Sequence, residues 1–275
     1  MKRAADVTSA DGTRLAVYEG GNPDGPPILF LHGFSQASLC WQGQFDDPDL
    51  AATFRLVAID IRGHGASDQP LDAARYTANA LFAADIHAVI TGLGLHRPVL
   101  VGWSYAGRLI SDYVQARGCA ALGGINFVAA RSMDDARFNG PGTAHIRAMI
   151  GDDLSANIVA TRAFLRSCFA TPQPQGDFET ALAYTMAVPA KIRAAHIRRP
   201  PNDGASLAAM TLPVLITQGT ADLLVLPGLA DLTAEKIPHA RLSVYENIGH
   251  APFVEDRKRF NSELARFATL FLTNK

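Results

Sequence analysis

Val99-Leu100-Val101-Gly102-Trp103-Ser104-Tyr105-Ala106-Gly107 is the stretch whose reading decides the fold. An unbroken apolar run leads into a serine, and the residues two before and two after that serine are small. Strands at the centre of parallel sheets read this way, because helices cover both of their faces. Where such a strand turns sharply into a helix, the two backbones nearly touch, and only small side chains fit beside the apex. The spacing therefore predicts a strand, a tight turn with Ser104 at its tip, and a helix from Tyr105 to Arg117. Gly102 suits this turn fully. Ala106 suits it with one methyl more than glycine would bring.

Similar apolar runs bounded by turn residues recur along the chain: Ile28 to Leu31, Phe54 to Ile59, Gly124 to Val128, Pro213 to Thr217 and Arg241 to Tyr245. Near the start, Asp11-Gly12 predicts a hairpin turn followed by a strand at Leu15 to Tyr18. Gly20 to Pro27, rich in glycine and proline, is expected as a loop. Between the strands, Thr77 to Leu93 places Leu81, Phe82, Ile86, Val89, Ile90 and Leu93 near the three-and-four spacing of one helix face. Pro252 to Leu272 also reads as a helix. Alternating strands and helices predict an α/β architecture, a mostly parallel sheet with right-handed crossovers. Ser132 to Met210 breaks the alternation. It has helical pieces divided by Pro172, Pro174, Pro189, Pro200 and Pro201, and no convincing buried strand. The expected organisation is a core of residues 1–131 and 211–275 with a helical cap at 132–210, inserted after strand 6.

Composition narrows the function. The 275 residues include 25 Lys plus Arg against 26 Asp plus Glu, a formal net charge of −1. No global field favours nucleic acid or an anionic membrane. Hydrophobic residues make up 48%, enough for a sizeable core and too many for a disordered chain. The three cysteines, Cys40, Cys119 and Cys168, fit neither a disulfide framework nor a zinc pattern, and suit buried positions in a reducing compartment. No signal peptide follows Met1-Lys2-Arg3, and no apolar run of about 18 residues suggests a membrane span. A cytoplasmic location is expected.

A serine hydroxyl needs a base within hydrogen-bond reach to act as a nucleophile. Of the eight histidines, His250 in Gly249-His250-Ala251-Pro252 follows the last strand on a glycine-bearing loop. It would sit at the carboxyl edge of the sheet, where ligands of open α/β sheets bind. Asp222, after the strand at 213–217, lies at another carboxyl strand end and can orient that imidazole. The strand at 28–31 ends in His32-Gly33-Phe34-Ser35. There the Phe34 N–H can face the serine, with the Tyr105 N–H as a second donor to a developing oxyanion. His32 is read as a support for this turn.

In this order, His32-Gly33-Phe34, Asp60-Ile61-Arg62-Gly63-His64-Gly65-Ala66-Ser67-Asp68, Gly102 to Gly107, Gly219-Thr220-Ala221-Asp222 and Gly249-His250 resemble the serine α/β-hydrolase superfamily over nearly the whole chain. The group most similar in look holds cofactor-free haloperoxidases or perhydrolases, small esterases and lactonases. The resemblance implies the α/β-hydrolase fold, a catalytic triad of Ser104, Asp222 and His250, and an oxyanion hole at Phe34 and Tyr105. It makes Asp60 to Asp68 a structural turn and implies no metal and no cofactor. A serine at the elbow, rather than the aspartate of haloalkane dehalogenases and epoxide hydrolases, points to acyl transfer, and an uncharged, moderately apolar ester or lactone of small to medium size is the expected substrate. Perhydrolysis, carbon–carbon bond hydrolysis and a ligand receptor with little turnover are the alternatives, and homo-oligomerisation stays open. Phe34, Trp41 and Tyr105 are the expected substrate-binding residues. Ile146, Met149, Ile150, Phe164, Phe169, Phe178, Tyr184 and Met186 of the cap are candidates to join them, and one cap arginine among Arg137, Arg147, Arg162, Arg166, Arg193, Arg198 and Arg199 could meet a substrate carboxylate.

Overall fold

The computed structural model describes residues 1–270. Eight strands form one sheet: β1 (Lys2–Thr8), β2 (Arg14–Gly21), β3 (Pro27–Leu31), β4 (Arg55–Ile59), β5 (Val99–Trp103), β6 (Gly124–Val128), β7 (Val214–Gly219) and β8 (Arg241–Tyr245). Their order is β1-β2-β4-β3-β5-β6-β7-β8. β4 to β8 and β3 run parallel, and β1 and β2 extend the β4 edge as antiparallel neighbours. The chain leaves β3 towards β4, then crosses back to lay β5 on the other side of β3. Chain direction reverses at that point, so the loops after β3 and β5 open a crevice at their carboxyl ends.

Side chains alternate across a strand, and this divides the core in two. Leu29, Leu31, Val57, Ile59, Leu100, Ile125 and Phe127 pack on one face with Phe82, Ile86, Val89, Leu109 and Tyr113. These last five come from helices α1 (Asn79–Gly92) and α2 (Ala106–Arg117). Ile28, Phe30, Leu56, Ala58, Val99, Val101 and Trp103 pack on the other face with Trp41, Phe253, Phe260 and Leu264. The inner strands β5, β6 and β7 are buried along their full length.

Three predicted boundaries shift. β2 continues through Gly20 and Gly21, residues expected in a loop. Gly21 holds a left-handed φ of 74°, and a Cβ there would stand 2.3 Å from the Phe54 carbonyl oxygen. The absence of a side chain is what lets the strand run on. The helix expected at Thr77 to Leu93 is split by extended Ala78 into Ala74–Thr77 and α1. The one expected from Pro252 to Leu272 breaks at Asp256, giving Pro252–Glu255 and a helix at Arg257–Thr269. Its last two expected residues lie outside the described ones.

Between β6 and β7 lie helices α3 (Leu154–Ser167), α4 (Gln175–Met186) and α5 (Ala190–Ile197). Asp153 caps α3 by accepting from the Ala156 N–H at 3.0 Å. Pro174 and Pro189 stand immediately before α4 and α5, where a missing N–H breaks no helical bond. The longer helices after β7 are α6 (Gly228–Lys236) and α7 (Arg257–Thr269). Among the described residues no helix is long and apolar enough to cross a membrane.

The turn after β4 is anchored by Arg62, whose buried guanidinium holds both oxygens of Asp85 at 2.6 Å and Asp11 at 2.9 Å. Burial alone would raise the Asp11 carboxyl, but the Arg62 guanidinium and the Thr13 N–H outweigh it and hold it at about 2. Its unfolded value is 3.8, so this contribution to stability is full above that pH and disappears as pH falls towards about 2. Asp11→Asn should lower stability at neutral pH and flatten the fall across that window, as read by urea melts at a series of pH values.

Candidate functional site

β5 ends at Trp103 and α2 starts at Ala106, leaving Ser104 and Tyr105 to reverse the chain. Ser104 takes a φ of 55°, a left-handed conformation uncommon for a residue with a Cβ. Backbone bonds hold it there. Its N–H donates to Val128 O at 2.9 Å, and its carbonyl accepts from Gly107 at 3.0 Å and Arg131 at 2.9 Å. A Cβ on Gly102 would lie 3.2 Å from the Ala106 carbonyl and 2.6 Å from Ile110 Cδ1. A side chain at 102 would crowd the turn, whereas the Ala106 methyl is fully buried.

The loop after β3 runs against this serine. A Cβ on Gly33 would approach Ser104 Cβ to 3.3 Å. Two histidines hold the loop in place. His32 Nδ1 donates to Gly33 O at 2.8 Å, and its Nε2 accepts from the Ile61 N–H at 3.1 Å. His64 Nδ1 donates to Arg62 O at 3.0 Å, and its Nε2 accepts from the Ser35 N–H at 3.2 Å. Each ring uses one nitrogen as donor and the other as acceptor, which only the neutral imidazole can do. Burial pushes both below the ordinary histidine value. Asp60 accepts from the Ser38 and Ala66 N–H groups at 2.8 and 2.9 Å. Among the described residues, the N–H groups of Phe34 and Tyr105 have no acceptor within the chain.

His250 comes from the loop after β8. Its N–H donates to Cys168 O at 3.0 Å and its carbonyl accepts from Trp103 Nε1 at 2.8 Å. Its Nδ1 lies 2.7 Å from Asp222 Oδ2. Asp222, after β7, is itself fully engaged. Oδ1 accepts from the Leu224 and Val225 N–H groups at 2.8 and 3.0 Å, and Oδ2 also accepts from Gln218 Nε2 at 3.1 Å. With Nδ1 donating to the carboxylate, the His250 Nε2 is the free acceptor of the ring.

Ser104 and His250 share one narrow cleft with Gly33, Phe34, Gln36, Trp103, Phe164 and Cys168. The cleft adjoins a cavity of about 430 Å³ through Phe34, Ser104 and Phe164. Through Gln36, Trp103 and Cys168 it adjoins a second cavity of about 330 Å³. Phe34 and Phe164 meet edge to face at the constriction, centroids 6.3 Å apart.

Of the residues read from sequence, the structure brings Ser104, His250, Phe34 and Tyr105 around these spaces, with Asp222 behind His250. Ile146, Ile150 and Phe164 line the larger cavity, and Phe169, Phe178 and Tyr184 the smaller. Trp41 is a correction. Its ring is fully buried on the other face of the sheet, 4.2 Å from Phe253 and 5.1 Å from Phe30 between centroids, and it lines neither cavity. The large apolar surface of Trp41 is used by the core. Met149 is likewise fully buried, and Met186 packs with Leu165, Ala181 and Leu182.

Sequence reading missed His196, which lines the larger cavity. Its Nδ1 lies 3.0 Å from Tyr105 Oη, and that oxygen accepts from Arg199 Nη1 at 2.9 Å. Arg199 is in turn paired with buried Asp112 and bonded to Asn79. Burial, with the Arg199 charge beside it, pushes His196 down to about 3. Arg108 and Arg131, outside the predicted cap, line the same cavity. No local spacing announces these contacts, because the partners are drawn from distant segments.

A family model described as the alpha/beta hydrolase family matches residues 28–263. The chain superposes on a crystal structure from Burkholderia cenocepacia described as an aryl esterase with a TM-score of 0.95 at 34% identity, covering 99% of this chain and 100% of that one. The esterase RhEst1 from Rhodococcus sp. ECU1013 superposes with a TM-score of 0.91 at 32% identity, covering 98% and 100%. In sequence, the AB hydrolase superfamily protein YisY of Bacillus subtilis is 26% identical over 252 residues, 89% of this chain and 92% of that protein. The Mycobacterium bovis protein EphD, described as an oxidoreductase, is 41% identical over 117 residues, which span 42% of this chain and only 19% of EphD.

Two outcomes follow from the geometry. Folded His196 refuses a proton that the unfolded chain binds near 6.5, so stability should decline as pH drops below that value. The ring itself should keep the nitrogen shifts of a neutral imidazole at pH 5 by NMR. Trp41→Ala should cost about 3–5 kcal/mol in urea melts while leaving KM for any substrate unchanged.

Proposed function

Because the chain belongs to the α/β-hydrolase family and is an enzyme of that type, we propose that it hydrolyses a carboxylic ester or lactone through an acyl-enzyme on Ser104. One observation carries this reading. A half-buried hydroxyl shares a narrow cleft with an imidazole whose other nitrogen is bonded to a buried carboxylate, and two unpaired backbone N–H groups belong to residues at the same cleft and cavity. The solved esterases at 34% and 32% identity, aligned over nearly full length, support it.

Ser104 Oγ attacks the carbonyl carbon while His250 Nε2 takes its proton. Asp222 fixes the ring with Nδ1 protonated and stabilises the imidazolium. The Phe34 and Tyr105 N–H groups receive the oxyanion, each such donor typically contributing about 10²–10³ in rate. His250 returns the proton to the departing alkoxide, and a water activated by the same ring releases the acid. Residues 132–210 act as a cap over the core of 1–131 and 211–275, with Phe164 of α3 closing the cleft over the serine. The substrate is a small molecule, and its entry needs no metal or cofactor in this scheme.

Incubation with a fluorophosphonate should label Ser104, and Ser104→Ala should abolish labelling. Asp222→Asn and His250→Gln should retain the fold by circular dichroism and lower kcat on p-nitrophenyl esters by about 10³–10⁴-fold. Full ester hydrolysis by Ser104→Ala would end the acyl-enzyme reading. Parallel assays with hydrogen peroxide present would reveal perhydrolysis instead.

A further inference from the structure

The larger cavity beside Ser104 carries a charge imbalance that the acyl-transfer chemistry leaves unused. Arg108, Arg131 and Arg147 all line it, against one acidic residue, Asp134. That carboxylate is divided between two of the cations, at 3.1 Å from Arg108 and 3.6 Å from Arg131. Arg131 also donates to Asn139 Oδ1. Arg108 is only 5% exposed, its Nη2 donates to the Pro200 carbonyl, and its buried Nε has no partner. It also stands close enough to Arg199 to feel that like charge, while Arg199 is already committed to Asp112. Arg147, at the exposed rim, has neither an ion pair nor a hydrogen bond among the described residues. The remaining walls include apolar Ile146, Ile150, Leu224 and Val225.

A space with apolar walls and surplus guanidinium groups matches a hydrocarbon chain that ends in an anion. Guanidinium groups bind carboxylates through charge-assisted hydrogen bonds with matched planar geometry. The direction of the acyl chain follows from the acyl-transfer reading, on which this inference rests. The carbonyl oxygen must point at the Phe34 and Tyr105 N–H groups, and both of those residues line the larger cavity. The leaving oxygen must face His250, which lines only the constriction. The acyl chain then extends into the arginine-lined space, and the alcohol departs towards the other side.

We propose that the enzyme selects acyl groups bearing a terminal carboxylate, so that its substrates are half esters of dicarboxylic acids, bound by Arg147 at the rim together with Arg131 and Arg108. Ser104 Oγ displaces the alkoxide, which leaves as the alcohol with the proton from His250. Water then cleaves the acyl-serine ester and frees the dicarboxylic acid.

The test compares p-nitrophenyl hydrogen adipate with p-nitrophenyl hexanoate, a neutral ester of the same chain length and leaving group. The anionic ester should have at least about tenfold higher kcat/KM, as one charged hydrogen bond would supply. Arg147→Gln and Arg131→Gln should each reduce that ratio several-fold, Arg147→Gln leaving the hexanoate rate unchanged, and the ratio should fall as salt is added. Calorimetry with adipate on Ser104→Ala reads binding apart from turnover. Adipate binding that is weakened by adding Arg147→Gln supports the carboxylate site at these arginines even if no ester is cleaved, in which case the hydrolase reading fails and the site stands as a binding site. Hexanoate hydrolysis without any preference for the anionic ester, or a preference untouched in both arginine variants, overturns the inference and leaves the hydrolase reading intact.

Discussion

The left-handed backbone at Ser104 is the constraint on which the rest of the site depends. A residue with a side chain in that region costs on the order of 1–3 kcal/mol. Three backbone hydrogen bonds, to Val128, Gly107 and Arg131, hold it, each contributing about 1 kcal/mol net. They come from β6, from α2 and from the segment entering the cap region. The strained turn is thus stable only when the neighbouring strand is paired and the chain beyond it is in place. Gly102 and Gly33 suit the same turn, since side chains there would crowd it and the serine.

The crevice around that turn is built from buried polar groups, each with a defined state. His32 and His64 bridge backbone groups of the β3 and β4 loops as neutral rings, and His196 is hydrogen-bonded to the Tyr105 hydroxyl as another. Burial disfavours their charged forms, which keeps these supports unchanged while the solvent pH varies. His250 differs in its neighbour. Its Nδ1 faces a carboxylate already held by two backbone N–H groups and Gln218. The buried rings thus differ in what each nitrogen touches: backbone groups at His32 and His64, a carboxylate at His250.

Charge in this protein is balanced overall and uneven locally. Arg62 and Arg199 are buried and matched by Asp85, Asp11 and Asp112. Removing a partner from such pairs would leave an uncompensated charge in a low dielectric. The arginines of the larger cavity are different, with one shared carboxylate between them. Structural pairs account for the first group, whereas the second carries more guanidinium groups than carboxylates.

Local patterns carried much of the architecture. Unbroken apolar runs mark β3 to β7 because each is covered on both faces, and the small residues around Ser104 mark the turn because two backbones approach there. Gly249-His250 and Asp222 were legible from their places after the last two strands. Boundaries at Gly21, Ala78 and Asp256 were not, since each depends on what packs against it. Trp41 reads as a pocket aromatic until Phe30 and Phe253 are seen to enclose it. The pairing of Tyr105 with His196, 91 residues apart, and the convergence of Arg108, Arg131 and Arg147 on one cavity leave no trace in local spacing. The amino-acid order by itself determined the layered α/β plan and pointed to the candidate side chains at its carboxyl edge, because burial period and turn sterics act over a few residues. Which groups share a cavity, and with what charge, was decided only by the tertiary structure, because that is a property of distances between segments far apart in the chain.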